Sequence, residues 1–243
     1  MKYIRRILLV ICLAVFLYSA GNLGRIGYRY YKLDHDNTKL QEEVVQEPKK
    51  DSPQASPLDR KIDFNKLKSI NEDIVGWIYI PDTKIDYALL KGKTNDTYIH
   101  TNYEKKYSFG GSIFMDEDNN ASLTDTNTIV YGHNMKNGSM FANIKKFTDK
   151  DFFDKHPDIY IYLPDNSINV YSIYSTKIID ATSDYYLKDV DYSSYVQKAK
   201  SNATQSRDVD MNNAAPLILL STCHVHDQPS RNVLFARLSK NVK

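Results

Sequence analysis

The chain has 243 residues, 42% of them hydrophobic, and a formal net charge of +2 from 32 basic and 30 acidic side chains. That length suits one domain with appendages and a real core. The near balance of charge, with no basic block, argues against a nucleic-acid partner. Nineteen tyrosines and many β-branched residues favour strands.

Lys2, Arg5 and Arg6 precede an uncharged stretch of 18 residues, Ile7 to Gly24. Such a run is just long enough for a membrane helix. Ser19-Ala20-Gly21 also offers a small-x-small site for cleavage of a signal peptide, but the run length favours an uncleaved anchor. On that reading residues 1–6 are a cytoplasmic tail, 7–24 a transmembrane signal-anchor, 25–61 an extracellular stalk and linker, and 62–243 the folded domain. With the N-terminus inside, the bulk of the chain works outside the cytoplasm.

Residues 25–45 are polar, charged and helix-compatible, and "QEPKKDSPQASPLD", 46–59, carries three prolines and reads as a linker. A short amphipathic helix is expected at 63–71, with Ile62, Leu67 and Ile70 inward. Strands are expected at 74–80, 84–91, 111–116, 127–133, 158–164, 168–180, 215–223 and 232–239. Pro81-Asp82 and Pro164-Asp165 are turn signals. One helix is expected at 141–154, where Phe141, Ile144, Phe147 and Phe152 make an apolar face, and another at 191–203. Eight strands with few long helices point to a small, closed or nearly closed β-barrel.

The chain has two cysteines, Cys12 in the apolar stretch and Cys223 at the end of "LILLSTC". No disulfide can form within the exported part, so Cys223 is either a buried bystander or a reactive thiol. A cysteine nucleophile needs an imidazole. His224 and His226 are close in sequence, but adjacent strand residues point to opposite faces. His133 ends "NTIVYGH" much as Cys223 ends its own strand, and two strands ending at one rim would bring the pair together. Arg231 opens the next strand, where a hairpin returns it to that rim as a clamp for an oxyanion or carbonyl. Cys223, His224 and His226 match no ordinary structural zinc spacing, and there is no phosphate loop, GxSxG or HExxH.

These residues carry a resemblance. "STC" at a strand end, Arg231 at the next strand's start and the upstream "YGH" resemble the sortases, membrane-anchored cysteine transpeptidases of Gram-positive bacteria. "NEDIVGWIYIPDTKIDYALLKGKTNDTYI", "GSIFMD" and "NTIVYGHNMKNGSMF" point to class B, and the likeness spans residues 62–239. It implies an eight-stranded sortase-like β-barrel, mainly β, with an N-terminal helix and extra helices in connecting loops. It implies Cys223 as nucleophile, His133 as general acid/base and Arg231 as oxyanion clamp, with Ile99, Thr182, Tyr186, Leu187 and Ser221 contacting substrate. It implies no cofactor and no metal. "RNVLF" departs from the family by placing Asn232 where an apolar or aromatic residue is usual.

The expected reaction is cleavage of a C-terminal sorting signal, NPxTN-like or a related variant, through a thioacyl-enzyme. The acyl group then passes to an amine of peptidoglycan or its precursor. Hydrolysis by a cysteine peptidase acting on wall or surface peptides begins with the same chemistry and stays open. An inactive, anchored binding module is disfavoured by Cys223, His133 and Arg231 occurring together.

Overall fold

The computed structural model describes residues 2–48, 56–210, 213–223 and 229–243, with Cys223 described through its backbone. It forms two compact units, one ending at Lys39 and the other running from Leu40 to Lys243. The first is the larger part of helix α1 (Lys2–Val44). That helix is long and apolar enough to cross a membrane, and none of its apolar window is buried. Eighteen residues at 1.5 Å each span about 27 Å, close to the thickness of a bilayer's hydrocarbon core.

The second unit is built on eight strands: β1 (Ile74–Tyr79), β2 (Asp86–Lys91), β3 (Ile113–Met115), β4 (Asn127–Tyr131), β5 (Asp158–Tyr162), β6 (Ile168–Asp180), β7 (Leu217–Cys223) and β8 (Ser230–Val242). They are hydrogen-bonded in the order β8-β7-β4-β3-β2-β1-β5-β6, and β6 pairs back onto β8 along almost its whole length, which closes the barrel. The closure removes both sheet edges. Two pairs are parallel, β7 with β4 and β2 with β3; the others are antiparallel. All eight expected strands are present. The turn at Pro81-Asp82 places Asp82 in the left-handed region (φ 58°). At Pro164-Asp165, the Asp165 carboxylate accepts from the Ser167 amide and hydroxyl.

Helix α2 (Phe64–Ile70) is capped by Asp63, whose carboxylate accepts from the Lys66 amide. Leu67 and Ile62 are buried, and Ile70 packs at the margin of the same core. The expected helix at 141–154 is two elements instead. A 3₁₀ segment (Phe141–Thr148) ends at Asp149, which caps a new helix, α3 (Lys150–Lys155), by accepting from the Phe152 amide at 2.9 Å. An aspartate side chain stabilises a fresh N-terminus better than a helix interior. The break rotates the apolar face, so Phe153 is the buried residue and Phe152 stacks on His156, 3.9 Å between ring centroids. Helix α4 (Tyr192–Lys200) covers a tyrosine-rich core of Tyr174, Tyr185, Tyr195 and Phe235.

The folded unit reaches back before residue 62. Leu40 and Val44, in the last turns of α1, join the core around Leu67 and Trp77, and Val45–Gln46 forms a short ladder with Lys61–Ile62. Of the linker expected at 46–59, residues 49–55 lie outside those described. Beside this ladder, buried Arg60 donates to both oxygens of Asp86 at 3.3 and 2.8 Å and lies 4.0 Å from the centroid of the Tyr79 ring. The Trp77 indole and the Gln41 amide also donate to Asp86. Burial pushes the Asp86 carboxyl up, and Arg60 works against that.

This cluster yields a stability prediction. Asp86→Ala should cost about 3–5 kcal/mol, because it removes the buried partner of a buried guanidinium and leaves it, among the described residues, only the exposed carboxylate of Glu47, 2.7 Å away. Replacing both residues, Arg60→Met with Asp86→Leu, should cost less. Urea denaturation of the three proteins tests the order.

Candidate active site

Three chain segments meet at one rim of the barrel. Strand β7 runs parallel to β4, in register from Leu217↔Asn127 to Ser221↔Tyr131. One step further on, the Gly132 amide donates to the Ser221 carbonyl at 3.2 Å. Parallel strands end on the same side, so His133 leaves the sheet beside Thr222 and Cys223. Strand β8 pairs antiparallel with β7 and sets Arg231 directly opposite Cys223. His224 and His226, weighed as partners of the thiol, lie outside the described residues.

Gly132 allows this exit. A β-carbon there would sit 2.5 Å from the Ile113 Cδ1 and 2.7 Å from the Phe141 ring. The loop that follows is closed on itself: the Phe141 amide donates to the His133 carbonyl at 3.0 Å, and Asn134 bridges to Met140. Met140 is buried with φ 55° while its amide donates to the Tyr87 hydroxyl. Backbone strain of this kind costs about 1–3 kcal/mol and persists only where the surroundings impose it. Here it fixes the chain behind His133.

A cleft of about 240 Å³ opens at the rim. Ser221 and Thr222 form its base, and Tyr131, Gly132 and His133 one wall. Ile99, Tyr186 and Arg231 close it from three other segments. His133 Nε2 lies 2.8 Å from the Ile99 carbonyl oxygen. A carbonyl can only accept, so Nε2 carries the hydrogen and Nδ1 is the nitrogen that gains and loses a proton. Burial lowers the His133 pKa below its ordinary value; the Ile99 bond opposes this and the charge of His100 adds to it. The Tyr131 hydroxyl donates to Asp116 at 2.8 Å, and burial followed by that carboxylate pushes its pKa well up. The Tyr186 and Ser221 hydroxyls are 2.8 Å apart, and the Tyr186 ring stacks on Tyr131.

Of the residues named from sequence, Ile99, His133, Tyr186, Ser221 and Arg231 all line the cleft. Cys223 stands at the last position of β7, opposite Arg231. Thr182 and Leu187 are outside the lining. Thr182 donates its amide and hydroxyl to Asp180, making a turn, and Leu187 is exposed while its carbonyl accepts from Asn127. Sequence reasoning missed Asn95, Phe114, Tyr131, Gly132, Ala181 and Thr222 in the lining. Tyr131 and Thr222 were within reach of the motifs "YGH" and "STC". Asn95 and Phe114 arrive from distant segments and left no local signal.

The fold is a closed eight-stranded barrel in which the backbone at Cys223 lies opposite Arg231 and beside the segment that carries His133. Residues 78–239 match the family model of the sortase domain. The chain is 34% identical over 228 residues to sortase B of Listeria monocytogenes, covering 91% of this chain and 90% of that protein. It is similar to the Staphylococcus aureus sortase B–substrate complex, with a TM-score of 0.68 and 30% identity over 73% of this chain and 84% of that one. Against Clostridium perfringens sortase B the TM-score is 0.67 at 32% identity, covering 74% of this chain and all (100%) of that one. The chain belongs to the sortases, cysteine transpeptidases, and within them to class B.

The Ile99 carbonyl is itself pinned. Gly111 has φ 56°, and a β-carbon there would approach the Ile99 oxygen to 2.2 Å. Gly111→Ala should therefore lower stability by about 1–3 kcal/mol and displace the acceptor that orients His133. Thermal denaturation together with the NMR shift of the His133 ring checks both effects; an unperturbed imidazole would contradict the second.

Proposed function

We propose that Cys223 is the nucleophile of a transpeptidase that cleaves a C-terminal sorting signal and transfers the acyl group to a peptidoglycan amine. The observation that carries this is the register at the rim. It sets Cys223 opposite Arg231 and beside the segment that carries His133. The Cys223 thiolate adds to the scissile carbonyl, and the carbonyl oxygen becomes an oxyanion facing Arg231. The C–N bond then breaks, His133 gives its Nδ1 proton to the leaving amine, and a thioester remains on Cys223. An acceptor amine attacks that thioester, His133 takes up the amine's proton, and the thiolate leaves. Ile99, Tyr186 and Ser221 line the groove in which the signal lies, with Thr182 and Leu187 on the adjoining segment. The signal is NPxTN-like or a related variant; the relative from Staphylococcus aureus is a complex of sortase B with a substrate. The apolar window of α1 spans the membrane once with the N-terminus inside and the barrel outside.

Cys223→Ala should abolish cleavage of a sorting-signal peptide and any mass adduct on the protein, with the fold retained. Appreciable cleavage by this variant would refute the covalent mechanism. Adding an amine should divert the acyl group from water into an amide; products unchanged by amine would favour a hydrolytic peptidase. Protease added to intact protoplasts should digest the domain, and full protection would overturn the topology.

Arg231→Lys should lose most of the rate, because a point charge cannot reproduce two fixed hydrogen bonds from a planar fork. Loss of an oxyanion donor costs about 10²–10³-fold in kcat. A lysine variant with near wild-type turnover would reduce Arg231 to a source of charge.

The pH dependence follows from His133. A free thiol titrates near ~8.5 and an imidazole near ~6.5, and burial moves His133 further down. The neutral thiol–imidazole pair therefore dominates at pH 7, and only a fraction of the enzyme holds thiolate and imidazolium together. The acid limb of kcat/KM belongs to the lower of the two values, that of His133. It should fall below pH ~6.5, as a pH series on the peptide will show.

A further inference from the structure

A second imidazole sits against His133. The His100 ring stacks on it with centroids 5.6 Å apart and planes 15° from parallel, and the Tyr107 ring lies 6.4 Å beyond His100. The three rings run from the exposed surface at Tyr107, through exposed His100, to the half-buried His133. Centroid separations of about 4.5–7 Å are those of favourable ring pairs.

His133 needs such a neighbour. Among the described residues its ring makes one hydrogen bond, Nε2–H to the Ile99 carbonyl. That bond fixes a direction, and a stacked ring fixes the plane about it, which keeps Nδ1 in line. Catalytic histidines are commonly oriented by a carboxylate, yet among the described residues no carboxylate pairs with His133 or His100. Among the described residues, the groups around His133 come from several elements. Ile99 and His100 come from the segment between β2 and β3, Tyr131 from β4, Tyr186 from the β6–β7 connection and Arg231 from β8. The Tyr131 hydroxyl is committed to Asp116. The Tyr186 hydroxyl is paired with Ser221.

We propose that His100 is a positioning residue for the transpeptidase reaction: its stacked ring fixes the plane of His133 and shields its outer face. This rests on the function proposed above. The shape of the ring orients, and its charge, when present, opposes that of a His133 imidazolium. The two contributions separate by substitution. His100→Phe keeps a flat ring and removes the charge; His100→Ala removes both.

The test uses the full chain in detergent and a sorting-signal peptide. His100→Ala should lower kcat about tenfold or more with KM little changed, as expected when a general acid is misaligned. His100→Phe should restore kcat to within about threefold of the parent, a fraction of the loss that misalignment causes. In both variants the acid limb of kcat/KM should move to higher pH, because a like charge beside His133 has gone. Thermal denaturation should be unchanged, since His100 is exposed. An alanine variant with parental kcat, or a phenylalanine variant as slow as alanine with the acid limb unmoved, would overturn the proposal. Failure of the underlying reading would look different: Cys223→Ala would remain active whatever stands at position 100.

Discussion

The site depends on one pairing, the parallel ladder between β7 and β4. Its register, Ser221 with Tyr131, decides that two strands far apart in sequence stop at one edge. A shift of one residue would turn every side chain of β7 to the other face. The fully buried run Leu217–Leu220 forbids such a shift, because it packs on both sides within the barrel. The antiparallel return of β8 then needs no further instruction to bring Arg231 opposite Cys223.

Around that ladder the protein spends stability on placement. Gly132 and Gly111 are places where the backbone passes so close to neighbouring atoms that a side chain has no room. Met140 adopts a conformation that L-residues avoid. All three surround His133 or the carbonyl it bonds. Strain concentrated at one side chain and absorbed by a closed barrel is what the general-acid role proposed for His133 requires. A half-buried imidazole whose pKa is lowered is also suited to the proposed release of a proton to a leaving amine.

The cluster around Arg60 and Asp86 has a different logic. Arg60 and Asp86 are buried together with Trp77, Tyr79 and Gln41, and they tie Leu40–Gln46 and 57–62 to the barrel. Here polar groups hold chain segments together. None of these residues lines the catalytic cleft.

Much of this was legible in the sequence. The alternating and continuous apolar runs marked all eight strands, and the prolines marked two of the turns. "YGH", "STC" and Arg231 identified the three chemical groups because each ends or begins a strand, a local feature. Chain entry and exit are set by nearest neighbours, so local sequence reports them. Three other things were decided only by tertiary structure. The split at Asp149 came from a side-chain cap that competed with helical periodicity and won. Asn95, Phe114 and Ala181 reached the cleft through pairings across tens of residues, which no local pattern encodes. The stack of His100 on His133 joins the β2–β3 connection to the end of β4, and only closure of the barrel brings those two rings face to face.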